Sequence, residues 1–196
     1  MNTLIITAHP SDWGFTHKIA ETYKQAREEK GDEVTIIDLY APENQQSYLA
    51  FDEEMNPTTA DAGADVAVQK IMQKHIAGAD HIVFVHPIWW SSMPAVMKNW
   101  LDWTLDAGFA FNFLENGKVE KLLTGKTAQV FVTADGPKMM YAFIRPMMSM
   151  MFGQGVLGFC GIKQKSFDLF PDMHKHKNDA DRNAMLEKVK QRALSL

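Results

Sequence analysis

Two runs of this chain hold residues whose types and spacing could do chemistry. One is His86-Pro87-Ile88-Trp89-Trp90-Ser91-Ser92-Met93-Pro94; the other contains Thr133, Asp135, Gly136 and Tyr141 in Val-Phe-Val-Thr-Ala-Asp-Gly-Pro-Lys-Met-Met-Tyr. Each closes an apolar, strand-like stretch and supplies backbone amides, hydroxyls and aromatic faces. That combination suits the edge and the face of a flat aromatic ring. A third run, His9-Pro-Ser-Asp-Trp-Gly-Phe-Thr-His17, leads from an apolar stretch into a helical pattern. The amide of Phe15 and the amide and hydroxyl of Thr16 stand at the start of that helix, where the dipole and unpaired N–H groups favour an anion such as phosphate. His9 offers a further donor. An ordinary turn, with Ser11, Asp12 or Thr16 capping the helix, fits the same spacing.

The elements that must position these runs alternate. Residues 3–8, 33–38, 80–86, 126–133 and 163–169 read as strands, being short, β-branched or aromatic, and bounded by turn residues. Helical periodicity covers about 15–30, 65–77, 94–106, 138–152 and 178–194, with Pro94 suited to a first helical turn. Strand–helix alternation of this kind predicts an α/β doubly wound sheet of five parallel strands, in which strand-end loops gather at one carboxyl edge and bind ligands there. The polar stretch 41–64, with Pro42 and Pro57, is longer than a usual connection and is a candidate for lid or interface duty.

Composition narrows the class. A chain of 196 residues with 46% hydrophobic residues is expected to form a single domain, 1–196, with a substantial core. A net charge of -4 without a long basic run argues against nucleic acid as a partner. No apolar stretch reaches about eighteen residues, so stable membrane insertion is not expected. With Cys160 the only cysteine, no internal disulfide forms, and a cytoplasmic location is expected.

These residues resemble the NAD(P)H:quinone oxidoreductases of the flavodoxin-like fold, the DT-diaphorase type with its short bacterial relatives. The resemblance runs through His9 with Gly14-Phe15-Thr16, Asp38-Leu39-Tyr40, Pro87-Ile88-Trp89-Trp90 with Met93-Pro94-Ala95 and Lys98, Thr133-Ala-Asp-Gly136 with Tyr141, and Phe159-Cys160-Gly161. It implies strand order 2-1-3-4-5, a bound FAD with FMN left open, NAD(P)H as co-substrate and a quinone or similar flat acceptor. It also implies a homodimer whose active site is completed at the interface. By the same resemblance Pro87, Ile88, Trp89 and Trp90 supply the wall and amides for the flavin ring, and Thr133, Asp135 and Gly136 the opposite rim. Tyr141 presents a catalytic hydroxyl, and His9, Phe15 and Thr16 form the phosphate seat; no metal is implied.

The chain also departs from that pattern. Gly14 and Thr16 replace a serine and an asparagine, Asp135 replaces a glycine, and Met147 stands where DT-diaphorases carry a histidine that assists charge relay. Tyr141, Trp90 and loop amides must then stabilise developing charge without it. A one-electron carrier and an ancillary subunit of a cation efflux system remain as alternative functions.

Other features read more plainly. Thr124-Gly-Lys-Thr127 lacks a P-loop's first glycine and precedes its strand, so it is not a nucleotide loop. Cys160, Trp100 and Trp103 are expected to be packing residues, and His174-Lys-His176 a solvated turn. Met139, Met140, Met147, Met148, Met150 and Met151 make one helix apolar nearly all round, which predicts burial on both sides, the second by another subunit or within the same one.

Overall fold

The computed structural model describes residues 1–196 apart from 57, 60, 176 and 177. The centre is a five-stranded parallel sheet in the order β2-β1-β3-β6-β7, formed by β1 (Asn2–Thr7), β2 (Glu33–Asp38), β3 (His81–Pro87), β6 (Thr127–Thr133) and β7 (Lys163–Phe170). This is the 2-1-3-4-5 order of the flavodoxin-like fold. β3 is buried along all seven residues, as an inner strand covered on both faces must be, and its sequence is accordingly apolar almost without interruption.

Alternation along the strands sorts the core into two layers. Ile5, Val83, Val85 and Phe131 face α1 (Phe15–Glu28) and α6 (Asp179–Leu194), whose Ile19, Tyr23 and Val189 pack onto them. Leu4, Ile6, Phe84 and Val130 face the opposite layer of α2 (Ala62–Gly78), α3 (Ala95–Thr104) and α4 (Lys138–Met150). In that layer Phe84 meets Trp100 and Phe152 edge to face, with ring centroids 6.3 and 5.0 Å apart. Trp100 and Trp103 are core residues, as expected. On the other side, Asp168 of β7 is buried between Arg192 Nε and Lys188 Nζ, each 2.8 Å away, and these pairs fasten α6 to the sheet.

Three features escape the periodicity. A hairpin of β4 (Phe111–Phe113) and β5 (Val119–Lys121) fills the connection before β6. The methionine-rich helix does not stop at 152: α4 continues as a π-helical segment over Met151–Leu157 and a last turn, α5 (Gly158–Cys160). That helix is buried on one side only. Tyr141, Met148 and Phe152 point inward, whereas Met139, Phe143, Met147, Met150 and Met151 are exposed, so the expectation of burial on both sides within one chain is not met.

The stretch 41–64 is strapped to the helices. Asn99 Nδ2 donates to the carbonyls of Gln46 and Ser47, Trp103 Nε1 donates to the Ser47 carbonyl at 2.9 Å, and Asp65 accepts from the Ser47 amide. Pro57 lies outside the described residues, as does His176 of the His-Lys-His run. Lys126 Nζ donates to the carbonyls of Ala77 and Ala79 at the end of α2, a capping duty and not a phosphate contact.

Candidate functional site

β1, β3 and β6 are neighbours and run parallel, so the loops after them stand side by side at one edge of the sheet. The ladder continues past the strands: Ala8 N donates to Val85 O at 3.1 Å and Ile88 N to Thr133 O at 2.7 Å. Pro87 and Thr133 are register partners. The sheet thus brings together the three runs that were separate in sequence.

At the first loop the helix α1 begins at Gly14, which has no side chain with which to cap it. Neither Ser11, Asp12 nor Thr16 caps the helix, and the amides of Phe15 and Thr16 have no partner among the described residues. A Cβ on Gly14 would lie 3.0 Å from His9 Nδ1 and 3.1 Å from Ser11 O, so the loop closes tightly only because residue 14 is glycine. His9 Nδ1 lies 3.1 Å from the Ser11 amide and 3.2 Å from the Ser11 carbonyl. In the tautomer in which Nδ1 accepts from the amide, the ring proton is on Nε2, which is then a donor. Two open amides, a helix start and an imidazole are groups that could hold a phosphate.

The second loop is a tight turn. Trp89 N donates to Ser92 O and Ser92 N to Trp89 O, both at 2.9 Å. The two residues between, Trp90 and Ser91, have φ of 49° and 58°. Positive φ at both central positions is unfavourable for side chains other than Gly, Asn or Asp, and such local strain is characteristic of ligand clamps. The amides of Trp90 and Ser91 have no partner among the described residues. The Trp90 indole is fully exposed and that of Trp89 partly so, whereas Pro87 and Ile88 are buried and serve as the base of the loop.

The third loop follows β6. Thr133 is buried and Asp135 exposed, and the amides of Asp135 and Gly136 are unpartnered among the described residues. Gly136 O and Ala134 O accept from Asp172 and Met173, which pins the loop from behind. Tyr141, on the first turns of α4, folds back onto this glycine and is only 7% exposed.

Beside these loops, on the α3 side, lies a cavity of about 830 Å³ that sequence reasoning did not find. Ser91, Ser92 and Met93 are its only share of the strand-end loops; none of the residues predicted to hold a ligand lines it. Its walls are Leu101, Phe111, Met148, Phe152, Phe159 and Phe167, contributed by six different elements or segments, with Cys160 at the base. Burial pushes the Cys160 thiol up to about 11, which makes it inert at neutral pH. One buried polar side chain reaches the cavity from the sheet, His86, whose Nδ1 lies 2.9 Å from Pro87 O. Burial lowers its pKa to about 4. Only the clustering of distant aromatic residues forms this space, so no local motif marks it.

Comparison with known proteins bears on the fold and the family. A family profile described as "Flavodoxin-like fold" matches residues 1–193. An uncharacterized NAD(P)H oxidoreductase of Haemophilus influenzae is 34% identical over 197 residues, covering 98% of this chain and 94% of that one. The FMN-dependent NADH:quinone oxidoreductase 2 of Bacillus subtilis is 33% identical, over 86% of this chain and 89% of its own. Among solved structures, Smu.1420 from Streptococcus mutans superposes with a TM-score of 0.81 at 26% identity, with both chains covered completely.

Proposed function

The chain belongs to the flavodoxin-like NAD(P)H oxidoreductase and quinone reductase family, and on that premise we propose that it reduces a quinone or similar flat acceptor with NAD(P)H through a bound flavin. One observation carries the reading: three adjacent strand ends each present two backbone amides without partners among the described residues, at Phe15 and Thr16, Trp90 and Ser91, and Asp135 and Gly136. Six donors converging at one sheet edge beside aromatic walls suit a flavin's phosphate and ring oxygens, because ligands of open α/β sheets bind at that edge and helix-start amides favour anions. The Bacillus relative is FMN-dependent by name, which favours FMN over the FAD that the resemblance implied.

Bound flavin supplies two-electron hydride exchange, the chemistry that no side chain of the protein can perform. The residues would hold and tune it. His9 and the amides of Phe15 and Thr16 would hold its phosphate. Trp89 and Trp90 would wall the ring, and the Trp90, Ser91 and Gly136 amides would be its hydrogen-bond donors. The Tyr141 hydroxyl would donate a hydrogen bond toward charge developing at the ring edge, a task unshared because Met147 has no proton to offer.

NAD(P)H and the acceptor use the same face in turn, so initial rates plotted at several acceptor concentrations should give parallel lines. Intersecting lines with a trapped ternary complex would overturn that order. Mass identification of the cofactor released from purified protein decides FMN against FAD, and a chain that takes up neither sinks the reading. The exposed face of Met139, Phe143, Met147, Met150 and Met151 lies on the helix that carries Tyr141, and we assign it to a homodimer contact beside the active site.

A further inference from the structure

We infer that His86 makes the cavity beside the Ser91–Met93 loop a binding site for an aromatic ring that carries a hydroxyl, with Nε2 accepting the ligand's O–H. Nδ1 lies 2.9 Å from the Pro87 carbonyl, and a carbonyl oxygen only accepts, so the ring proton is on Nδ1. The lone pair is therefore on Nε2. That atom has no partner among the described residues, and the residue, 3% exposed, lines the cavity.

The rest of the lining explains the ring. Leu101, Phe111, Met148, Phe152, Phe159 and Phe167 offer apolar walls, and the volume of about 830 Å³ falls within the range of small-molecule sites. Other charged groups on the lining are already engaged: Lys98 pairs with Asp102, and Asp106 accepts from Gln69 and Gln73. Because burial keeps the imidazole neutral at pH 7, Nε2 does not turn into a donor there.

The polarity of this contact selects between ligands of one shape. A quinone carbonyl would set lone pair against lone pair. An aryl hydroxyl satisfies the site, and a quinone that has gained a hydride and a proton carries two. The identification of the ligand with a reduced acceptor rests on the quinone-reductase reading; recognition of the hydroxyl does not.

The test is calorimetric titration of the intact protein with 2-naphthol and with 2-methoxynaphthalene, which differ by loss of the donor. The naphthol should bind about tenfold tighter or more, since a site built to pair a hydroxyl rejects the analogue without it. In His86→Phe, which keeps a flat ring and removes the lone pair, the two affinities should converge within about twofold. Equal affinities in the parent protein, a preference that survives His86→Phe, or binding of neither probe overturns the inference. Equal affinities in the parent overturn the inference even if the variant does not fold. NADH or NADPH oxidation with 1,4-naphthoquinone is measured alongside. Absence of turnover with the probe preference intact leaves the His86 site standing and counts against the reductase reading alone.

Discussion

Tyr141 lies directly against Gly136: a Cβ on the glycine would stand 3.1 Å from the tyrosine hydroxyl and would also collide with Met140 Cε. The third strand-end loop and the proposed catalytic hydroxyl are therefore one packed unit. Gly136→Ala should displace Tyr141 while leaving the sheet intact. Overpacking of this kind costs about 1–3 kcal/mol, which corresponds to about ten- to a hundredfold if it is borne by the bound state. Flavin affinity measured by fluorescence quenching checks this, and an unchanged affinity together with an unchanged rate would show that the loop yields freely.

Tyr141→Phe keeps the ring against Gly136 and removes only the hydroxyl. Hydride transfer in stopped flow should slow by about ten- to a hundredfold, with flavin affinity nearly unaltered, because a donor aimed at developing charge acts on the rate. A rate within twofold of the parent would assign the task to backbone amides.

Strain at the Trp90–Ser91 turn is measurable by its release. Ser91→Gly should stabilise the protein by about 1 kcal/mol in urea unfolding, since a left-handed residue other than glycine costs about that much or more. Ser91→Val, β-branched at a φ of 58°, should destabilise the fold and weaken flavin binding. A Ser91→Gly variant no more stable than the parent would contradict the turn geometry.

Acid should weaken the fold in a window set by two buried histidines. Burial lowers both His81 and His86 from the ordinary 6.5 to about 4, with Arg27 and Lys165 adding to the effect at His81 and Asp32 opposing it. Between those values the unfolded chain binds more protons than the native one, so stability falls as pH falls from 6.5 toward 4. From pH 7 to pH 5 the loss should be on the order of 2–4 kcal/mol for the pair. The buried carboxylate of Asp168 is held below its ordinary 3.8 by Arg192 and Lys188, so its contribution is lost only below that window. Urea midpoints at the two pH values measure the effect, and His86→Phe should remove about half of it.

The homodimer is tested at Phe143. Met148 is the wrong place to introduce charge, because its side chain is 9% exposed and packs into its own core, where glutamate would unfold the chain. Phe143 is 86% exposed on the opposite side of α4. Phe143→Glu should leave thermal unfolding of the subunit cooperative, shift light scattering from dimer to monomer and reduce turnover. A fully active monomer at micromolar concentration would return this face to solvent.

The alternation of strands and helices and the three loops were legible in the sequence because each rests on local pattern, whereas the strand order was implied by the family resemblance. Leu4, Ile6, Phe84 and Val130 alternate with neighbours that face the other layer, and Gly14, Pro94 and Gly136 punctuate the loops that follow strands. Period and punctuation need no knowledge of what lies across the sheet. Tertiary structure alone decided the rest. The β4–β5 hairpin has only three residues to a strand, too few to show a period, and the π-helical stretch 151–157 is a choice among helical pairings that sequence periodicity does not distinguish. Which methionines face the core depended on how this helix lies on the sheet, where Phe152 meets Phe84 and Arg145 donates to the Phe167 carbonyl. The His86 cavity exists because Leu101, Phe111, Met148, Phe159 and Phe167 converge from elements far apart in the chain. Such a space is a gap left by packing, and a gap has no sequence of its own.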